Sequence, residues 1–144
     1  MFWGINDFDK GGIVKQSIGD EIADYLLTCA DCEVHDISYS KDGILAAAAS
    51  KSIFLKSADL GQLIFRGHNS FTTAVDIFPT STIMASGDES GNIILWNLSS
   101  GEQIKSFETD PSPIKDLLFS ADGKYLLSSS QDGFVTLWGL PPGE

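Results

Sequence analysis

The chain has 144 residues, a length for one domain rather than two. With 9 Lys+Arg against 20 Asp+Glu, its formal net charge is −11, which disfavours direct binding to nucleic acid or to an anionic membrane surface. Hydrophobic residues make up 42% and charged residues 20%, a globular balance that excludes a disordered acidic tail.

The N-terminus reads Met-Phe-Trp-Gly-Ile-Asn-Asp7, without the basic lead-in of a secretory signal. No apolar run approaches the roughly 18–20 residues of a membrane-spanning helix. Two cysteines are too few for a disulfide framework, so the expected setting is the cytoplasm, with the nucleus as the alternative. Between Asp20 and Cys29, Ile22, Tyr25, Leu26 and Cys29 recur at helical spacing; the alternative is an enlarged connecting loop with a helical turn. Cys29-Ala-Asp-Cys32 follows, with His35 three residues on. Zinc needs a fourth ligand that the chain does not supply nearby, so these read as ordinary cysteines and no metal or cofactor is expected.

From Val34 onward the chain repeats. Val34–Gly43, Ala74–Thr80 and Ile114–Gly123 each open a unit, and Asp36, Asp76 and Asp116 recur 40 residues apart. Lys56, Trp96 and Trp138 recur at 40 and 42. Each unit reads as four short strands separated by turns: Asp-Gly at 42–43 and 122–123, then Glu-Ser-Gly91 and Gln-Asp-Gly133. Ala46–Ala49 is helical by propensity alone, but its alignment with residues 128–131 and its flanking turns assign it to a strand. The fourth strands run Gln62–Arg66 and Glu102–Phe107.

Residues 12–138 resemble the WD-repeat family of β-propellers. Gly67-His68 matches the family's Gly-His, Trp96-Asn97 and Trp138-Gly139 sit at its Trp-Asp, and Phe119-Ser-Ala-Asp-Gly123 is similar to its Phe-Ser-Pro-Asp-Gly. The resemblance implies an all-β fold: a partial β-propeller of about three four-stranded antiparallel blades, an open arc or one closed only by oligomerisation. Residues 34–66, 67–107 and 108–144 would be the repeats. Residues 1–33 would hold an N-terminal strand plus a long loop or short helix, with Trp3 and Gly12–Ile18 as remnants of an earlier blade. The family's buried network of His, Ser or Thr, Asp and Trp maps to His68, Ser86 and Trp96 in the second repeat, where Ser90 takes the Asp place. In the third it maps to Ser128, Asp132 and Trp138 without a histidine, so neither network is complete.

No catalytic residues are expected, and the chain reads as no enzyme. His35, Asp36 and Ser38 lie on an extended strand whose side chains alternate, so they do not converge as a triad. The family layout instead implies one loop face carrying Asn69, Ser70, Phe71, Asp88, Glu89, Asp110, Gln131 and Asp132. An aromatic among carboxylates suits a protein partner offering basic segments. The expected role is a non-enzymatic interaction scaffold or adaptor. The alternatives are a fragment or regulatory part of a larger WD-repeat signalling protein, or an accessory subunit of an enzyme complex. An open arc also predicts a homodimer or pairing with another propeller.

Overall fold

The computed structural model describes residues 11–16, 23–29 and 32–141. Trp3 and Ile18 lie outside them. Among the described residues there is no helix, and thirteen strands form four antiparallel sheets. Strands β1 (Gly11–Gln16) and β2 (Ala23–Cys29) pair as a two-stranded sheet. This corrects the helical reading of Asp20–Cys29 over its last seven residues, all in β2. A helix that short is marginal by itself, and the β1 ladder supplies the backbone partners instead.

The first blade is β3 (Val34–Tyr39), β4 (Leu45–Ala49), β5 (Ser52–Ser57) and β6 (Gly61–Arg66). The second is β7 (Thr72–Ile77), β8 (Ile83–Asp88), β9 (Asn92–Asn97) and β10 (Gln103–Glu108). The third has β11 (Ile114–Phe119), β12 (Tyr125–Ser130) and β13 (Val135–Gly139). Together they form an open, partial β-propeller, as the repeats predict.

Packing between blades explains the composition of each strand. The alanine run is strand β4, buried on both faces, where small side chains let adjoining layers approach closely. Between the first and second blades, Ala46, Ala48, Ile53 and Leu55 meet Val75, Ile77, Met84, Ile94 and Trp96. Between the second and third, Ala74, Ala85, Ile93 and Leu95 meet Ile114, Leu117, Phe119 and Leu126. Burying each larger aliphatic side chain contributes roughly 1.5–3 kcal/mol. Phe78 stacks edge-on against Phe119 at 5.2 Å across the second of these interfaces.

Strand pairing corrects one sequence alignment. Each inner strand has a bulge at its start, between Val34 and Asp36, Thr72 and Ala74, and Ile114 and Asp116. Asp36 and Asp116 are therefore equivalent to Ala74, while Asp76 stands where Ser38 and Leu118 stand. The cause is loop length. Asp36 faces Ala48 and Ala48 faces Ile53, whereas Ala74 faces Gly87 and Gly87 faces Ile93. Both turns of the first repeat are thus one residue shorter. The Lys56, Trp96 and Trp138 register holds, since they face the equivalent Leu45, Met84 and Leu126.

Hydrogen bonds confirm this equivalence. Ile77 N–H donates to Ser38 Oγ at 3.1 Å, and Phe119 N–H donates to Asp76 Oδ2 at 2.7 Å. Ile77 and Phe119 are themselves equivalent, so one relay is used twice between successive blades. Asp36 adds a second link by accepting from Val75 N–H at 2.9 Å. Burial pushes the Asp36 and Asp76 carboxyls above the usual carboxylate range, against the backbone donors that hold them down.

Candidate functional site

In the second and third blades the loop entering the blade meets the turn between its second and third strands. Glu89 N–H donates to the Phe71 carbonyl at 3.0 Å, and Gln131 N–H donates to the equivalent Pro113 carbonyl at 2.9 Å. Phe71 is held from the other side as well. Its neighbour Thr72 donates its N–H to the Ser50 carbonyl at 2.6 Å, and its hydroxyl reaches the carbonyls of Ser50 and Ser52, both at 3.0 Å. The backbone is thus clamped between the turns of two blades, while Phe71 as a residue stays 48% exposed.

Around that residue lies a cleft of about 320 Å³, lined by Cys32, Glu33, His35, Ser50, Phe71 and Glu89. The lining brings two carboxylate residues and one aromatic residue to the same cleft, a composition suited to a cation through charge and the ring quadrupole. Phe71 and Glu89 were legible in the sequence; Glu33, His35 and Ser50 were not. The strand register supplies the missing signal, because Glu33 precedes Val34 as Phe71 precedes Thr72, making the two equivalent. Cys32 is disulfide-bonded, which corrects its reading as an ordinary cysteine. Among the described residues no three His, Cys, Asp or Glu side chains gather as a metal site.

The other predicted residues divide. Asn69 lines a separate cleft of about 460 Å³ with His68, Asn92 and Gln103. The Ser70 and Ser90 hydroxyls are hydrogen-bonded to each other. Asp110, Gln131 and Asp132 are exposed at the loops of the third blade. There Asp132 N–H donates to Ser112 Oγ at 3.2 Å, and its carboxylate accepts from the Ser130 hydroxyl.

Asp88 does not belong to this surface: it is fully buried. It completes the network that the sequence left open. Trp96 Nε1–H donates to Ser86 Oγ at 2.8 Å, and the Ser86 hydroxyl donates to His68 Nε2 at 2.7 Å. His68 Nδ1–H then donates to Asp88 Oδ2 at 2.7 Å. Each donor in this chain has one acceptor when the imidazole is neutral, and burial lowers the His68 pKa in agreement, with Asp88 opposing. Asp88 Oδ1 also accepts from Ser90 N–H at 2.9 Å and Asn92 N–H at 3.0 Å, which ties the turn. The carboxylate has moved two residues from the Ser90 position, and the turn lets it reach the same histidine. In the third blade, Trp138 Nε1–H donates to Ser128 Oγ at 2.9 Å. Each of these buried bonds contributes on the order of 1 kcal/mol net.

Comparison with known proteins agrees with this geometry. The chain is 32% identical over 119 residues to apoptotic protease-activating factor 1 of Homo sapiens, across 76% of this chain and 9% of that protein. It is 33% identical over 110 residues to eukaryotic translation initiation factor 3 subunit I of Neurospora crassa, across 74% of this chain and 32% of the relative. It is 35% identical over 98 residues to small ribosomal subunit protein RACK1 of Candida albicans, across 60% of this chain and 31% of that protein. The chain thus spans about a third or less of the length of each. The profile of the WD domain, G-beta repeat, matches residues 61–97 and 101–139, more than half of the chain. With its blades, its register and its buried Trp–Ser–His–Asp chain, this protein belongs to the WD-repeat family.

Proposed function

We propose that this chain is a non-enzymatic protein-interaction module whose Phe71 cleft takes a basic side chain of a partner protein. The observation that carries this is a clamped, half-exposed aromatic residue lining one cleft with Glu33 and Glu89. The net charge of −11 draws basic segments toward the surface, and the cleft orients one of them. Relatives named for translation initiation and for the small ribosomal subunit support a cytoplasmic setting, with the nucleus as the alternative. The same reading includes pairing of the open arc, with a second copy or another propeller. A second reading, a regulatory part of a larger signalling assembly or an accessory subunit, draws on the similarity to apoptotic protease-activating factor 1.

Fluorescence anisotropy with a labelled nona-arginine peptide tests the cleft. Phe71→Ala and Glu89→Gln should each weaken binding about tenfold, the scale of one desolvated cation–π or charge contact. Asp122→Asn, at an exposed turn elsewhere, should leave it unchanged. Equal weakening by Asp122→Asn, or none by Phe71→Ala, would mean that net charge alone holds the peptide.

A further inference from the structure

The cleft beside Asn69 and the cleft beside Phe71 are built from the same two segments. The loop entering the second blade gives Asn69 to the first and Phe71 to the second. The turn between β8 and β9 gives Asp88 and Asn92 to the first and Glu89 to the second. Ser70 and Ser90, whose hydroxyls are hydrogen-bonded to each other, fall in each segment between a residue of one cleft and a residue of the other. The bond from Glu89 N–H to the Phe71 carbonyl fixes the same loop to the same turn. Asn69 and Phe71 are two residues apart, which holds their Cα atoms within about 7 Å.

The Asn69 cleft has a chemistry of its own. No Lys or Arg lines either cleft. Asp88 is buried and taken up by His68, Ser90 and Asn92, which leaves Glu108 as the exposed carboxylate residue of the Asn69 cleft. Glu108 is paired with Asn92 across β9 and β10. The next residue, Thr109, donates its N–H and its hydroxyl to the Gly91 carbonyl, both at 2.9 Å. Glu108 is thereby tied to the turn that carries Glu89. Ile94 and Phe107 add apolar surface to the lining, and Asn69 and Gln103 add amide oxygens. A carboxylate and amide oxygens beside apolar surface suit arginine, whose guanidinium donates five N–H bonds and whose stem is apolar.

We infer that the partner segment is extended and carries two arginines with one residue between them, one for the Phe71 cleft and one for the Asn69 cleft. The inference rests on the reading of the Phe71 cleft above and adds a second binding site with the spacing it demands. Along an extended chain, residues i and i+2 project to the same side roughly 6.5 Å apart, which matches the spacing of Asn69 and Phe71. Residues i and i+1 project to opposite sides, so adjacent arginines fill only one cleft.

Fluorescence anisotropy with labelled nine-residue Gly-Ser peptides tests this, one carrying a single arginine, one an adjacent pair and one a pair at i and i+2. Both paired peptides carry the same charge, so attraction to the net charge of −11 is equal for the two. The i, i+2 peptide should bind about tenfold tighter than the adjacent pair, the scale of one added charge-assisted contact. Glu108→Gln should cut that advantage to about twofold, whereas Asp122→Asn should leave it whole. Glu108 is exposed and Gln keeps its shape, so the variant should melt like wild type; Asn69→Ala, on the loop side of the cleft, is an independent test of the same advantage. Equal binding of the two paired peptides overturns the two-site pattern, while weakening of both by Phe71→Ala still upholds the first cleft. An advantage that survives both Glu108→Gln and Asn69→Ala overturns the Asn69 cleft as the second site. No weakening of any peptide by Phe71→Ala overturns the reading of the Phe71 cleft, and this inference with it.

Discussion

Ser86→Ala isolates the energetic centre of the second blade. The Ser86 hydroxyl accepts from Trp96 Nε1–H and donates to His68 Nε2, and no solvent reaches the residue. Removing it strands a buried donor and a buried acceptor at once. At about 1–3 kcal/mol for each unsatisfied group, partly offset by local relaxation, the expected loss is about 2–4 kcal/mol. That is a large share of the roughly 5–15 kcal/mol typical of a whole domain. Ser128→Ala is the internal comparison. It removes the partner of Trp138 Nε1–H alone, and Trp138 is only half-buried, so water can replace the bond. The expected loss there is about 0.5–1 kcal/mol. Urea unfolding followed by tryptophan fluorescence measures both, with an unchanged slope showing that compactness is preserved. If Ser86→Ala costs no more than Ser128→Ala, the continuous chain from Trp96 to Asp88 does not act as a unit.

Three further outcomes follow from the same geometry. Burial holds the His68 pKa below its ordinary 6.5, so the unfolded chain binds a proton more readily than the folded one. This histidine's contribution is full above about 6.5 and is lost as pH falls through the depressed folded value; urea midpoints of His68→Gln should lack that step. Asp76 has the opposite sign, because burial raises its pKa: its contribution is full below 3.8 and is lost as pH rises through the folded value. Asp76→Asn keeps an oxygen for Phe119 N–H, so its stability at pH 7 should lie within about 1 kcal/mol of wild type, and wild type should gain on it under acidification. Gly91→Ala should cost about 2–4 kcal/mol in the same assay, since Gly91 has φ +86° and an added Cβ would collide with the Asp110 carbonyl oxygen. The strain falls on the loop carrying Asp110, so amide exchange should rise there first.

The division between what was legible and what was not runs through particular residues. The recurrence of Lys56, Trp96 and Trp138, with Asp-Gly turns between apolar runs, determined the blades and even the strand made of alanines. These are local signals: a turn residue and a period-2 run act within a few positions, and the sequence carries them whole. The inner-strand aspartates were misaligned because two one-residue turn differences in the first repeat are invisible until the ladders are paired. Asp88 was assigned to the surface for a related reason: spacing pointed to Ser90, but a turn can deliver a carboxylate to His68 from either position. Phe71 and Glu89 were found because both lie on loops of a recognisable unit, whereas Glu33 joins them only through the packing of one blade on the next. The sequence by itself therefore determined the repeating unit and its turns. Which side chains are buried together was decided only by stacking the blades, because burial is a property of neighbours distant in the chain.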